Sequence, residues 1–259
     1  MQENNFKNIF KNFFDKDKSF IILKKIYRKF FDFNGNHTKE ENLEWIKNNA
    51  SNCEDLAKSL SIELWNEAIL VSKEIEEESI KKLKELNIKL GGGGIYPFLY
   101  FITRYLQPNN ILETGVAAGF SSYSLLYAID KNSKGKLYSS DFPYFRLENP
   151  EQYIGYIVPD ELKSNWDLLI NGDDVNIPQF LEKVSRFDLI HYDSDKTYAG
   201  KAKFMNRIIN NINKNTIILI DDIQDNSFFY DYIIGNNIND WYIFEFEGKY
   251  VGMIGSLNV

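Results

Sequence analysis

The segment Ile111-Leu112-Glu113-Thr114-Gly115-Val116-Ala117-Ala118-Gly119 constrains the fold more than any other stretch of the chain. An apolar run ends in two glycines four positions apart, and Ser121 and Ser122 then open a helix. This reads as strand, tight turn and helix, with the first helical amides free to face a ligand. Strand-like runs at 110–116, 136–141, 167–171, 187–193 and 216–221 alternate with helical stretches, the pattern of an α/β domain. Ile217-Ile218-Leu219-Ile220 is uninterrupted by polar residues and suits a strand buried on both faces of a parallel sheet. Two further runs, 241–247 and 250–256, flank Gly248-Lys249, a hairpin signal. The expected fold is α/β: a doubly wound, mostly parallel seven-stranded sheet that ends in an antiparallel hairpin.

Residues 1–90 read as an N-terminal helical extension, and 91–259 as the main domain. Residues 1–31 hold eight Lys/Arg against three Asp/Glu, a local charge of +5 that leaves −12 for the rest. Phe6, Ile9, Phe10, Phe13 and Phe14, then Leu23, Ile26, Tyr27 and Phe30, recur at helical spacing and predict two short basic amphipathic helices. Such helices can lie on anionic membranes; docking onto the main domain or a second subunit is the commoner use, which makes a homo-oligomer an expectation. Thr38-Lys39-Glu40-Glu41 and Ser51-Asn52-Cys53-Glu54 both have the capping-box form and should start helices. A long helical pattern follows from Ser61 to Leu86, with Trp65, Ile69, Ile75, Leu83 and Leu86 on one side. Gly91 to Gly94 then breaks the helix and marks the boundary.

Several classes of chemistry are excluded. Cys53 is the only cysteine, so neither an internal disulfide nor a cysteine metal site can form. With His37 and His191 the only histidines, a multi-histidine zinc site and a His-dependent triad are disfavoured. No apolar run approaches the roughly 18 residues of a membrane span, and no secretory signal is recognisable, so a cytoplasmic location is expected. A net charge of −7 argues against an extended nucleic-acid footprint and for a small-molecule substrate.

The chemistry-bearing residues fall at strand ends, where ligands bind in such sheets. Gly115 and Gly119 lack the middle glycine of the dinucleotide pattern, because position 117 is alanine. Asp141, ending the second strand, is placed to accept hydrogen bonds from ribose hydroxyls. Asp173 and Asp174, after the third, could meet an adenine amino group, or simply form a turn. Glu113-x-Gly115-x-x-x-Gly119, Asp141 and Gly172-Asp173, with the final hairpin, resemble the class I S-adenosylmethionine (SAM)-dependent methyltransferases over roughly residues 90–259. The resemblance implies a Rossmann-like methyltransferase fold, with SAM held by Glu113, Gly115, Gly119, Ser121, Ser122, Asp141, Asp173 and Asp174.

Asp193, Asp221 and Asp222 would meet at the ends of the fourth and fifth strands, a repulsive arrangement that a divalent cation such as Mg²⁺ relieves. Bound there, the cation would lower the pKa of a substrate hydroxyl, with Asp195 or Lys196 taking the proton. Asp193-x-Asp195 with Asp221-Asp222 resembles the metal-dependent O-methyltransferases of the macrolide-sugar (macrocin O-methyltransferase-like) type. Asp193-x-x-Lys196 resembles the catechol and caffeoyl-coenzyme A type less closely, since Asp222 stands in place of its asparagine. The reading is O-methylation of a small hydroxylated molecule such as a sugar. Its rivals are a metal-independent small-molecule methyltransferase, an NAD(P)-linked oxidoreductase, and a non-catalytic nucleotide-binding or assembly module. His191 reads as a buried strand histidine, and the aromatic residues at 153, 156, 166 and 198 either wall a pocket or belong to the core. Prolines 143, 150 and 159 with Gly155 mark an irregular excursion above the sheet, where a substrate lid would lie.

Overall fold

A computed structural model describes residues 8, 19, 35–86 and 90–257. The amphipathic patterns at 6–14 and 23–30 lie outside the described residues, apart from Asn8. From Thr38 onward the chain runs α1 (Lys39–Asn49), β1 (Ala50–Ser51), α2 (Cys53–Leu60), α3 (Ile62–Leu86), α4 (Tyr96–Leu106), β2 (Asn110–Thr114) and α5 (Phe120–Asn132). It continues through β3 (Lys136–Ser140), β4 (Trp166–Leu169), α6 (Asp173–Lys183), β5 (Leu189–Tyr192), α7 (Tyr198–Ile208) and β6 (Ile217–Ile220). Helix α8 (Phe228–Gly235) and the hairpin β7 (Trp241–Phe246) and β8 (Lys249–Ile254) complete it.

The strands form one sheet in the order β1-β7-β8-β6-β5-β2-β3-β4. Strands β4, β3, β2, β5 and β6 are mutually parallel, and β8 is antiparallel to both β6 and β7. Because the chain builds outward from β2 through β3 to β4 and then returns to place β5 on the other side, strand order reverses between β2 and β5. A crevice beyond their carboxyl ends follows from that reversal.

The sheet has eight strands where seven are expected. The additional one is β1, which pairs parallel with β7 through Ala50 and Ile243 and through Ser51 and Phe244. Two residues give no periodic signal, so sequence reading misses it. Its formation also explains a displaced cap. Thr38 makes the full capping box with Glu41, but Ser51 is drawn into the strand and its hydroxyl donates to the Ile243 carbonyl at 3.2 Å. Asn52 caps α2 instead, its side chain accepting the Glu54 amide at 2.8 Å.

Two apolar cores cover the two faces of the sheet. Trp65, Ala68, Val71 and Ile75 of α3 share one with Phe98 and Phe101 of α4 and Leu125 of α5. Ile46 of α1 joins the other, with Phe180, Phe204 and Phe229. The Trp65 ring meets Phe101 edge-on at 6.0 Å. Packing therefore crosses residue 90 on both faces. Among the described residues no helix is long and apolar enough to cross a membrane. Trp65→Ala should cost about 3–5 kcal/mol, typical of a buried tryptophan truncated to alanine. Denaturant titration should show the loss as an earlier midpoint of a single transition, since α3 has no core of its own.

Candidate active site

The turn after β2 is built on a buried carboxylate. Glu113 is fully buried and accepts hydrogen bonds from Ser121, Ser122 and Ser139, each at 2.6 Å. Ser139 in turn accepts from the Trp166 indole at 2.8 Å. Glu113, Ser121 and Ser122, all expected beside a cofactor, are thus engaged with one another beneath the turn. Above them the backbone takes left-handed conformations at Gly115, Ala117 and Gly119, with φ of 85°, 51° and 108°. A Cβ at 115 would sit 2.2 Å from the Asp193 carbonyl oxygen, so only glycine lets β2 and β5 approach there. Ala117 occupies the position where the dinucleotide pattern has glycine, and it pays a steric cost in this region. Asp141 compensates: one carboxylate oxygen accepts the Ala117 amide at 2.7 Å, the other the Phe142 amide at 2.7 Å.

Beyond β4, Gly172 has φ 85° and nothing within 4 Å of a built Cβ, leaving open space at the strand end. Asp173 starts α6 and accepts from Ser140 at 2.6 Å and Ser194 at 2.5 Å, joining the ends of β3 and β5. Burial pushes its carboxyl up, against the two hydroxyls. Asp174 instead pairs with Lys203 and, at 3.2 Å, Arg207 of α7. The two neighbouring aspartates therefore do different things.

On the far side of the switch point, Asp193 hangs its amide on the Thr114 carbonyl at 3.0 Å, which brings it against the glycine turn. Burial, then the charge of Asp221, raise its carboxyl to about 7, with His191 opposing. The Asp221 carboxylate lies 3.4 Å from Nε2 of the fully buried His191, whose Nδ1 has no hydrogen-bond partner. Burial lowers the imidazole, but Asp221, Asp193 and Glu113 outweigh it and hold it at about 9. The sequence reading of His191 as a buried strand residue holds, with Asp221 as its partner.

The three-carboxylate metal site expected at Asp193, Asp221 and Asp222 does not form. Among the described residues no group of three or more His, Cys, Asp or Glu side chains is disposed to hold a metal ion. Asp222 has φ 53°, and its carboxylate pairs with Lys196, lies 3.5 Å from the Lys249 ammonium and accepts from Gln224 at 3.1 Å. Two lysine ammonium groups thus lie against Asp222. The two residues expected to take a proton are also engaged. Asp195 accepts the amide and hydroxyl of Thr197 at 3.1 and 2.7 Å, fixing the start of α7. Burial works against the Lys196 charge, but its hydrogen bond to Asp222 and the nearby carboxylates outweigh that and keep it protonated above its ordinary range.

One element of the site is missed by sequence reading. Gly91–Gly94, expected only as a helix break, crosses from the glycine turn to the acidic strand ends. Built Cβ atoms would lie 3.3 Å from Ala117 Cβ at Gly91, 2.4 Å from Phe120 Cβ at Gly93 and 2.2 Å from Asp221 Oδ2 at Gly94, and none of the four glycines has a positive φ. Space, not backbone freedom, requires glycine at 93 and 94; four in a row exceed what stopping a helix needs, and that excess was the available signal. The excursion after β3 is likewise tied to the turn, through Gly155 to the Ala117 carbonyl at 2.9 Å and Ile157 to that of Ala118 at 3.1 Å. Trp166 packs beneath Gly155 and Tyr198 against Phe228, so these two aromatics belong to the framework.

Comparison with known proteins agrees with this geometry. The family described as "Methyltransferase domain" matches residues 112–223, from the middle of β2 to just past β6. Residues 112–223, less than half of the chain, are thus similar to a methyltransferase domain. Among curated proteins none matches the chain. Solved structures share the fold: an O-methyltransferase from Bacillus cereus in complex with S-adenosylhomocysteine (SAH) has 16% identity and TM-score 0.53, covering 82% of this chain and 100% of its own. The SAH-bound Podospora anserina methyltransferase PaMTH1 has 15% identity and TM-score 0.52, covering 74% and 96%. TomG, an O-methyltransferase from Streptomyces achromogenes in complex with SAM, has 13% identity and TM-score 0.53, covering 70% and 89%.

In the glycine segment before α4, Gly94 and Gly92 should respond differently to a methyl group. Gly94→Ala forces the buried Asp221 carboxylate from its place and should cost about 1–3 kcal/mol as an overpacked contact. Gly92, with nothing within 4 Å, should accept alanine without loss; thermal melts of the two variants check the contrast. The His191–Asp221 pair also predicts a pH dependence. Its imidazole is held above the ordinary 6.5, so its stabilisation is complete below that value and is lost as pH rises through about 9. The difference in urea stability between the wild type and His191→Gln should shrink across that window.

Proposed function

We propose that the protein transfers the methyl group of SAM to a hydroxyl of a small molecule, and that it does so without a metal ion. The observation that carries this reading is the division of the switch point. On one side lie the glycine turn, Asp141 and the open space at Gly172; on the other Asp193 lies against the same turn. The residues of the first side fit SAM. Asp141 follows β3 and holds the Ala117 and Phe142 amides at the turn, where a carboxylate can also meet ribose hydroxyls. Gly172 leaves room for a ring at the end of β4. SAM and SAH in the complexes of similar fold support the same cofactor here.

The cofactor supplies an electrophilic methyl carbon on a sulfonium; the chain's own residues do the rest. Asp193 takes the proton of the attacking hydroxyl, because its carboxyl is enclosed beside the turn and is not spent on a lysine. The side chain of Lys196 keeps its charge and, with Lys249, neutralises Asp222 at the rim. Holding the acceptor oxygen and the methyl carbon together supplies much of the rate. No step runs through a metal, since two of the three carboxylates that would hold one, Asp221 and Asp222, are engaged with His191, Lys196 and Lys249.

Calorimetry with SAH tests the cofactor side, and no binding at millimolar SAH, a very weak affinity, sinks the reading. Turnover of labelled SAM against a panel of hydroxylated acceptors tests the rest. Asp193→Asn should lower the rate about 10²–10⁴-fold, the usual yield of general base catalysis, with SAH affinity retained. Activity should survive chelation; loss that Mg²⁺ restores would reinstate the metal.

A further inference from the structure

The loop that follows β6 carries Asp221 and Asp222, yet its own backbone gives it little shape. Its single 3₁₀ turn, Ile223–Asp225, closes with one amide-to-carbonyl contact, Asp225 to Asp222, at 3.3 Å. Buried side chains from elsewhere hold the rest. Asn42 of α1, almost wholly buried, donates its amide to the carbonyls of Ile223 and Asn226, both at 3.0 Å. From the other side Lys201 of α7, equally buried, donates its ammonium to the Asp222 carbonyl at 2.7 Å. Asn226, itself buried, passes the restraint on: its side chain donates to the Lys196 carbonyl at 2.8 Å and accepts the Phe228 amide at 3.3 Å. The loops after β5 and β6 are therefore one hydrogen-bonded unit, gripped by α1 and α7.

Burying an amide and an ammonium is costly unless each is hydrogen-bonded, and an apolar residue of similar volume would pack at either position more cheaply. What these two side chains supply, and an apolar one does not, is a fixed place for three loop carbonyls. We infer that Asn42 and Lys201 are positioning residues for the acceptor side of the site, and that residues 35–51 serve as its outer buttress. The rest of that segment is anchored to suit. Asn36 donates its amide to Asp231 at 3.1 Å, Trp45 lies 4.9 Å from Tyr230 and 5.5 Å from Trp241, and β1 extends the sheet beside β7. The hydrogen bonds and ring contacts of this segment run to α8, β7 and the loop after β6, so its effect falls on the acceptor side. That assignment of sides rests on the proposed function.

Hydrogen exchange and kinetics on the full chain test the inference, with Asn42→Ala, Lys201→Met and, as a control on the same helix as Asn42, Trp45→Ala. Both loop variants should speed amide exchange at 193–197 and 222–226 and leave α5 protected. Exchange in Trp45→Ala should rise in α8 and β7 instead. With an acceptor from the panel, both loop variants should lower kcat at least about tenfold, as small misplacements at a site do, while KM for SAM and SAH affinity stay unchanged. Unchanged exchange in the two loops overturns the inference whether or not an acceptor has been found. An equal loss of kcat in Trp45→Ala overturns it as well, since it reduces the effect to general stability. Should Asn42→Ala fail to fold, Lys201→Met alone decides. Absent SAH binding with faster loop exchange separates failure of the proposed function from failure of the positioning role.

Discussion

The carboxylate of Glu113 is the constraint on which the cofactor side rests. It is fully removed from water and survives there because three serine hydroxyls, from α5 and β3, converge on its two oxygens. A buried carboxylate left without partners would cost several kcal/mol, so β2, β3 and the start of α5 assemble together or not at all. The restraint extends further. Ser139 receives the Trp166 indole, Trp166 underlies Gly155, and the Gly155 amide meets the Ala117 carbonyl. The turn that faces the ligand is thus braced from below by Glu113 and from its flank by the excursion. Ala117 can remain in a left-handed conformation because Asp141 holds its amide.

The two sides of the switch point neutralise their carboxylates by different means, and the difference matters for chemistry. Glu113, Asp141 and Asp173 are met by hydroxyls and amides, which fix geometry without themselves titrating near neutrality. Asp221 and Asp222 are met by an imidazole and by lysines, which carry mobile protons and full charge. Fixed dipoles suit a cofactor that must be held in one pose. An enclosed carboxyl poised near 7, at Asp193, among cationic neighbours, suits a group that must accept a proton and release it.

Much of the sheet is legible in the sequence because a parallel strand buried on both faces has to be apolar throughout, as Ile217–Ile220 is, and acidic residues just beyond such runs mark the ligand-binding edge. The caps are legible for the same local reason: Thr38 and Glu41 need only each other. What sequence does not disclose is competition between partners. Ser51 looks like a cap until Ile243, far away in sequence, offers its carbonyl. The pairing of Asp222 with Lys196 and of Ser121 with Glu113 is equally invisible in the sequence. Each of these residues has a partner that only long-range packing supplies.

The glycine run shows the same principle from the opposite direction. Its composition suggests a joint between two bodies, yet the segment on either side of it bears on one site. Before it, Asn42 fixes the carbonyls of the loop after β6; within it, Gly94 yields the space that the Asp221 carboxylate fills. An extension that merely preceded the matched domain would have no reason to bury an asparagine against that loop, nor to omit a side chain at a point where it would strike a carboxylate. The acceptor edge of this sheet, closed by β8, β7 and the short β1, lies far from the glycine turn in topology. Its shape therefore comes in part from residues outside the matched domain, and α1, β1 and the glycine segment are among those that reach it.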